Sequence, residues 1–60
     1  DRSLAPVVNL PAGTILKREM LTVKKPGTGI APRDVERVVG KRLVRPVGSN
    51  RLLTWGDLGE

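Results

Sequence analysis

The chain has no cysteine, histidine, phenylalanine or tyrosine, and Trp55 is its single aromatic residue. Without cysteine there is no disulfide and no thiolate metal site to stabilise a small fold. Without histidine the commonest general base and metal ligand are missing. No apolar run approaches the roughly 20 residues that a membrane helix needs, and no secretory signal is visible. Sixty residues suffice for one domain, and a chain of this size buries only about 60% of its unfolded surface. The core therefore has to come from Leu and Val, with Ile15, Met20 and Ile30, and from Trp55 in core or rim packing. Catalytic patterns are missing as well. No phosphate-binding or dinucleotide-binding glycine motif occurs. The hydroxyls have no histidine to activate them. Among the acids Asp1, Glu19, Asp34, Glu36, Asp57 and Glu60, Asp34 and Glu36 flank one turn but point to different faces. No catalytic residue and no metal site is expected in this chain.

What is present begins with charge. Eleven Lys and Arg against six Asp and Glu give a net charge of +5, which suits an anionic partner and also keeps a small domain soluble. The basic residues are scattered, and one tryptophan is a poor stacking platform, so nucleic acid is not an expected partner. The chain begins with Asp1 rather than Met, which is read as the mark of a domain cut from a larger polypeptide or of a processed product.

Turn residues divide the chain into short segments. "SLAPVVNL" (3–10) reads as a strand in which Pro6 calls for an edge position. "PAGT" (11–14) is a turn with Gly13 free to take positive φ. "ILKREML" (15–21) reads as a strand entering one helical turn, and "TVKK" (22–25) as β, broken by "PGTG" (26–29). "APRDVERVVG" (31–40) is the best helix candidate. Pro32 suits the first helical position, Asp34 and Glu36 the N-terminal end, Gly40 the stop, and Val35, Val38 and Val39 a buried face. "KRLVRPV" (41–47) is strand-like, "GSN" (48–50) turns, and "RLLTWGDL" (51–58) closes the chain. Residues 10–21 align without gaps with 47–58, placing Leu16 on Leu53 and Leu21 on Leu58. That echo predicts two similar half-units related by a pseudo-two-fold. The fold class expected is mainly β, compact, with short helical turns.

One loop stands out. Pro26, Gly27 and Gly29 form a tight exposed connection, with Thr28 between the glycines, and Lys24 and Lys25 precede it. On a strand end successive side chains diverge, so one lysine can face solvent while the other reaches toward a partner.

"RSL" (2–4), "PAGTIL" (11–16), "EMLTVKKPGTGI" (19–30), "VVGKRL" (38–43) and the closing Leu53, Trp55, Asp57 and Leu58 resemble the C-terminal antifreeze-like domain of sialic acid synthases. That domain is one of the wider SAF group, which includes fish type III antifreeze proteins. The resemblance covers roughly residues 2–58 and is most specific at "LTVKKPGTGI" and "VVGK". It implies a β-clip, pretzel-like fold with internal two-fold symmetry, attached to an N-terminal (β/α)8 barrel. In such synthases the barrel condenses phosphoenolpyruvate with N-acetylmannosamine, or a related amino sugar, using Mn or Mg. The antifreeze-like domain caps the barrel of the partner subunit in a domain-swapped homodimer.

The resemblance further implies a cytoplasmic protein, no cofactor held by this domain, no membrane, and an isolated domain that is monomeric and inactive. In the family motif "KRPG" the Arg reaches the sugar. Here Lys25 stands in that place, keeping the charge without the bidentate fork. The implied substrate-binding residues are Lys25, Lys24 and Thr28, with Pro26, Gly27 and Gly29 supporting the loop. At the positions matching the ice-binding face stand Gly13, Ile15, Lys17 and Arg42; two long charged side chains hold their own hydration, so ice binding is not expected. The alternative branch is a SAF domain of a pilus or flagellar assembly protein or a sugar-acid dehydratase, acting as a binding module.

Overall fold

Short segments separated by turns give short strands. The computed structural model describes residues 1–59; Glu60, one of the acids considered above, lies outside them. Strand β1 (Ser3–Pro6) pairs antiparallel with β2 (Leu21–Lys24), in the register Ser3↔Lys24 to Pro6↔Leu21. The second pair, β3 (Arg42–Leu43) with β4 (Leu58–Gly59), is also antiparallel. Single 3-10 turns at Arg18–Met20 and Trp55–Asp57 lead into β2 and β4. A 3-10 turn at Pro32–Asp34 runs into one α-helical turn, α1 (Val35–Val38).

The 37-residue offset of the sequence echo governs the backbone. It carries Pro6↔Leu21 onto Leu43↔Leu58 and Ala5↔Thr22 onto Arg42↔Gly59. The Leu16 N–H donates to the Lys41 carbonyl at 2.8 Å, and the Leu53 N–H donates to the Leu4 carbonyl at 2.8 Å. Exchanging the halves interchanges these two bonds. Val7 to Met20 and Val44 to Asp57, both 2.9 Å, obey the same rule. Leu10 and Val47 bond each other reciprocally at 2.9 Å and so sit on the pseudo-two-fold axis. One bond breaks the symmetry for a chemical reason. The Leu43 N–H donates to the Thr14 carbonyl at 2.9 Å, but its counterpart is Pro6, which has no N–H to give.

Burial follows the same offset. The pairs Pro6/Leu43, Leu10/Val47 and Leu16/Leu53 are all buried, so each half supplies matched side chains to one shared core. Leu4, Ile30 and Val38 complete it, and the last two come from the connector between the halves. Gly13 at φ 91° and Gly40 at φ 93° take the left-handed conformation that side chains disfavour. Gly40 follows the helical turn and donates to the Leu16 carbonyl at 2.8 Å.

Several expected positions differ. The first strand ends at Pro6 rather than Leu10, and Val7 and Val8 are exposed. The helix is a single turn rather than the whole of 31–40. Its last valine, Val39, is already extended (φ −61°, ψ 131°), so it leaves the buried face on which Val38 sits. Ile15 is exposed, because it bridges Arg42 on the surface, and Met20 is only half-buried. Trp55 is 45% exposed: it stands on the rim, not in the core, and the Arg37 guanidinium lies 5.0 Å from its ring centre.

Asp57 is the buried charge in the fold, 4% exposed. Its carboxylate accepts the Thr54 N–H at 2.9 Å, and Arg45 Nε lies 3.6 Å away. Replacing Asp57 with Ala should cost about 1.5 to 3 kcal/mol, the range for a charged hydrogen bond, with Asp57→Asn losing less. Urea unfolding of the two variants checks this.

Candidate functional site

The lysine pair sits where β2 gives way to the connector. Lys24 is the last residue of β2, and its Nζ donates to the Ser49 carbonyl at 2.9 Å. Ser49 is itself held, its N–H donating to Asn9 Oδ1 at 2.8 Å. Lys24 is thus a strut between the loop and the 48–50 turn. Lys25 is exposed and makes no hydrogen bond or ion pair among the described residues. The divergence expected of neighbouring strand-end residues is realised in this way: one lysine is bound within the domain and one faces outward.

The peptide between Lys25 and Pro26 is cis. After it the chain folds back over Pro26–Gly29. The turn from Pro26 to Gly29 is braced from beneath by the fully buried hydroxyl of Ser3. Ser3 Oγ donates to the Pro26 carbonyl at 2.8 Å and accepts the Gly29 N–H at 2.8 Å. A hydroxyl can do both at once, so neither end of the loop is left unsatisfied. Pro26, Gly27 and Thr28 remain exposed.

The glycines of this loop are explained by space rather than by positive φ. A Cβ on Gly29 would lie 2.6 Å from the Leu53 carbonyl oxygen and 3.2 Å from Ser3 Cβ. On Gly27 it would run into Asp1 Cβ. The loop is therefore pressed onto β1 and the start of the chain, with no room for side chains underneath.

Arg18 pairs with Glu36, Arg37 with Asp34 and Arg45 with Asp57. No such pair among the described residues engages Arg2, Lys24, Lys25 or Arg33 at the loop end, nor Lys17, Lys41, Arg42 or Arg51 elsewhere. Arg2 and Arg33 line a polar cleft of about 340 Å³ with Asp1, Gly27, Ala31 and Pro32. Arg2 and Arg33 beside Gly27, with exposed Lys25 next to the loop, give this end basic groups that can meet oxygen-rich or anionic ones. Among the described residues no three acidic side chains converge on a possible metal position, and no helix is long and apolar enough to cross a membrane.

Of the six residues expected at the site, the structure brings Lys25, Pro26, Gly27 and Thr28 together on the exposed loop. Gly29 lies beneath it, and Lys24 turns toward Ser49. Ser3 and the two flanking arginines were not foreseen. Ser3 lies 23 and 26 positions from its partners, and nothing local in "RSL" announces such a contact.

Comparison with known proteins adds the following. A family model described as the SAF domain matches residues 1–59. An N,N'-diacetyllegionaminic acid synthase of Legionella pneumophila is 35% identical over 54 residues, which are 90% of this chain and 15% of that protein. The chain thus spans about a sixth of the curated relative's length. The solution structure of an antifreeze protein-like domain in the human N-acetylneuraminic acid phosphate synthase gene superposes with a TM-score of 0.88 at 32% identity. That match covers 97% of this chain and 75% of the other.

Proposed function

The chain belongs to the SAF domain family, and from that premise we propose that it is the C-terminal capping domain of a sialic acid synthase-like enzyme. In this reading the parent condenses phosphoenolpyruvate with N-acetylmannosamine or a related amino sugar. The domain sits over the barrel mouth of the partner subunit in a homodimer, in the cytoplasm, and presents Lys25 to the acceptor sugar. The relationship to synthases of the sialic and legionaminic acid type supports it. The observation that carries it is Lys25 itself. It is an exposed cation without an internal partner, on a loop fixed from beneath by Ser3.

A cap suits the chemistry. An enol phosphate and the cationic intermediates derived from it need shielding from water, and closure can complete the sugar site. The Lys25 ammonium would donate to a hydroxyl or carbonyl oxygen of the acceptor, and Thr28 would add a neutral donor or acceptor on the same loop. The divalent metal, Mn or Mg, is assigned to the barrel, since among the described residues no three acidic side chains converge and three acids are paired with arginines. A single ammonium cannot form the paired contacts of a guanidinium, so the loop with Lys25 is suited to one acceptor oxygen rather than two.

Lys25→Ala in the full-length parent should weaken use of the acceptor sugar by about 1.5 to 3 kcal/mol, roughly ten- to hundredfold. The Michaelis constant for phosphoenolpyruvate should stay unchanged. Steady-state kinetics with each substrate varied in turn tests this, and unaltered acceptor kinetics would remove Lys25 from the site.

A further inference from the structure

We infer that Ser3 is the positioning residue of the acceptor site: its buried hydroxyl sets where Lys25 and Thr28 stand, and so governs acceptor affinity without touching the sugar. This rests on the capping-domain reading above. The geometry is specific. Pro26 and Gly29 are the first and fourth residues of the turn, and the buried hydroxyl of Ser3 bonds both of them at 2.8 Å. Lys25 immediately precedes that turn and Thr28 is inside it, so a turn held at both ends holds both residues.

Removing the oxygen takes this brace from both ends of the turn and leaves a buried methyl group beneath the Pro26 carbonyl and the Gly29 N–H. Lys24 anchors only the strand side of the loop, through Ser49, and cannot restore the turn. Without the Ser3 bonds the turn is free to shift, and Lys25 and Thr28 shift with it. A misplacement of about 1 Å can cost on the order of a hundredfold in rate.

The test is a double-mutant cycle in the full-length parent, with Ser3→Ala, Lys25→Ala and the double variant. Acceptor and phosphoenolpyruvate Michaelis constants are measured separately. The expected result is an acceptor constant raised about tenfold or more by Ser3→Ala, an unchanged phosphoenolpyruvate constant, and little additional loss in the double variant. Independent, multiplicative losses, or an equal rise for both substrates, would make Ser3 a structural residue only and overturn the inference while leaving the capping reading intact. No effect of Lys25→Ala alone would overturn the reading and this inference with it. Should Ser3→Ala fail to give a folded parent, Ser3→Cys, which keeps a similar side chain and weakens both bonds, is read through the same cycle.

Discussion

Alanine at Gly29 is expected to lower the melting temperature of the domain by more than about 10 °C. The new Cβ would meet the Leu53 carbonyl oxygen at 2.6 Å, Leu52 Cβ at 3.0 Å and Ser3 Cβ at 3.2 Å. None of these is the free end of a flexible side chain. The Leu53 carbonyl accepts the Ile30 N–H at 2.8 Å, so moving it away breaks a bond that joins the connector to the second half. Moving Gly29 instead pulls its N–H from Ser3 Oγ. Overpacking of this kind costs about 1 to 3 kcal/mol and sometimes more, and each kcal/mol shifts the midpoint by about 4 to 8 °C in a domain of this size. Gly27→Ala should be milder, because its tightest clash is with the side chain of exposed Asp1 rather than with a hydrogen-bonded backbone carbonyl. Thermal unfolding followed by circular dichroism checks both; a shift under about 3 °C for Gly29→Ala would contradict the close packing.

The second large effect concerns the symmetric core. Leu16→Ala and Leu53→Ala should each cost about 2 to 5 kcal/mol, because both side chains are at most 1% exposed and both removals leave a cavity. A domain of this length has a total stability of roughly 3 to 9 kcal/mol, so either change takes away much of it. The pseudo-two-fold adds a sharper expectation. The two costs should be alike, since the backbone bonds around the two residues correspond, 16 to 41 and 53 to 4, both at 2.8 Å. Urea unfolding measures each. A loss below about 1 kcal/mol at one site, with a large one at the other, would show that the halves do not share the core equally.

These positions also show which parts of the fold can be read from sequence. The echo between 10–21 and 47–58 was legible because the same turn chemistry and leucine spacing recur, and each half needs the other to bury its apolar face. The exposed loop was legible because proline and glycine mark it locally. The helix over 31–40 was overestimated. Its apolar spacing persists to Val39, but the chain must leave the helix there to bring Gly40 onto Leu16. Trp55 sat among apolar neighbours in sequence, yet the offset makes it the counterpart of Arg18, exposed on a 3-10 turn.

Lys25 became a candidate through a resemblance; strand alternation gave the divergence of Lys24 and Lys25 but not which of them faces outward. The roles of Ser3 and Gly29 were not legible. Both depend on contacts between β1, the loop and the Leu53 segment, and such long-range packing has no signature in a local window. The asymmetric connector, Lys25 to Val39, is also where function is placed here: the two halves are constrained to match each other, and the segment between them is not.

The most direct test of the capping role compares the full parent polypeptide with one ending before Asp1. Phosphate release from phosphoenolpyruvate is followed with manganese and N-acetylmannosamine or a related amino sugar. The account predicts release that depends on the amino sugar in the intact protein and is lost on truncation. Equal release from both proteins would contradict it.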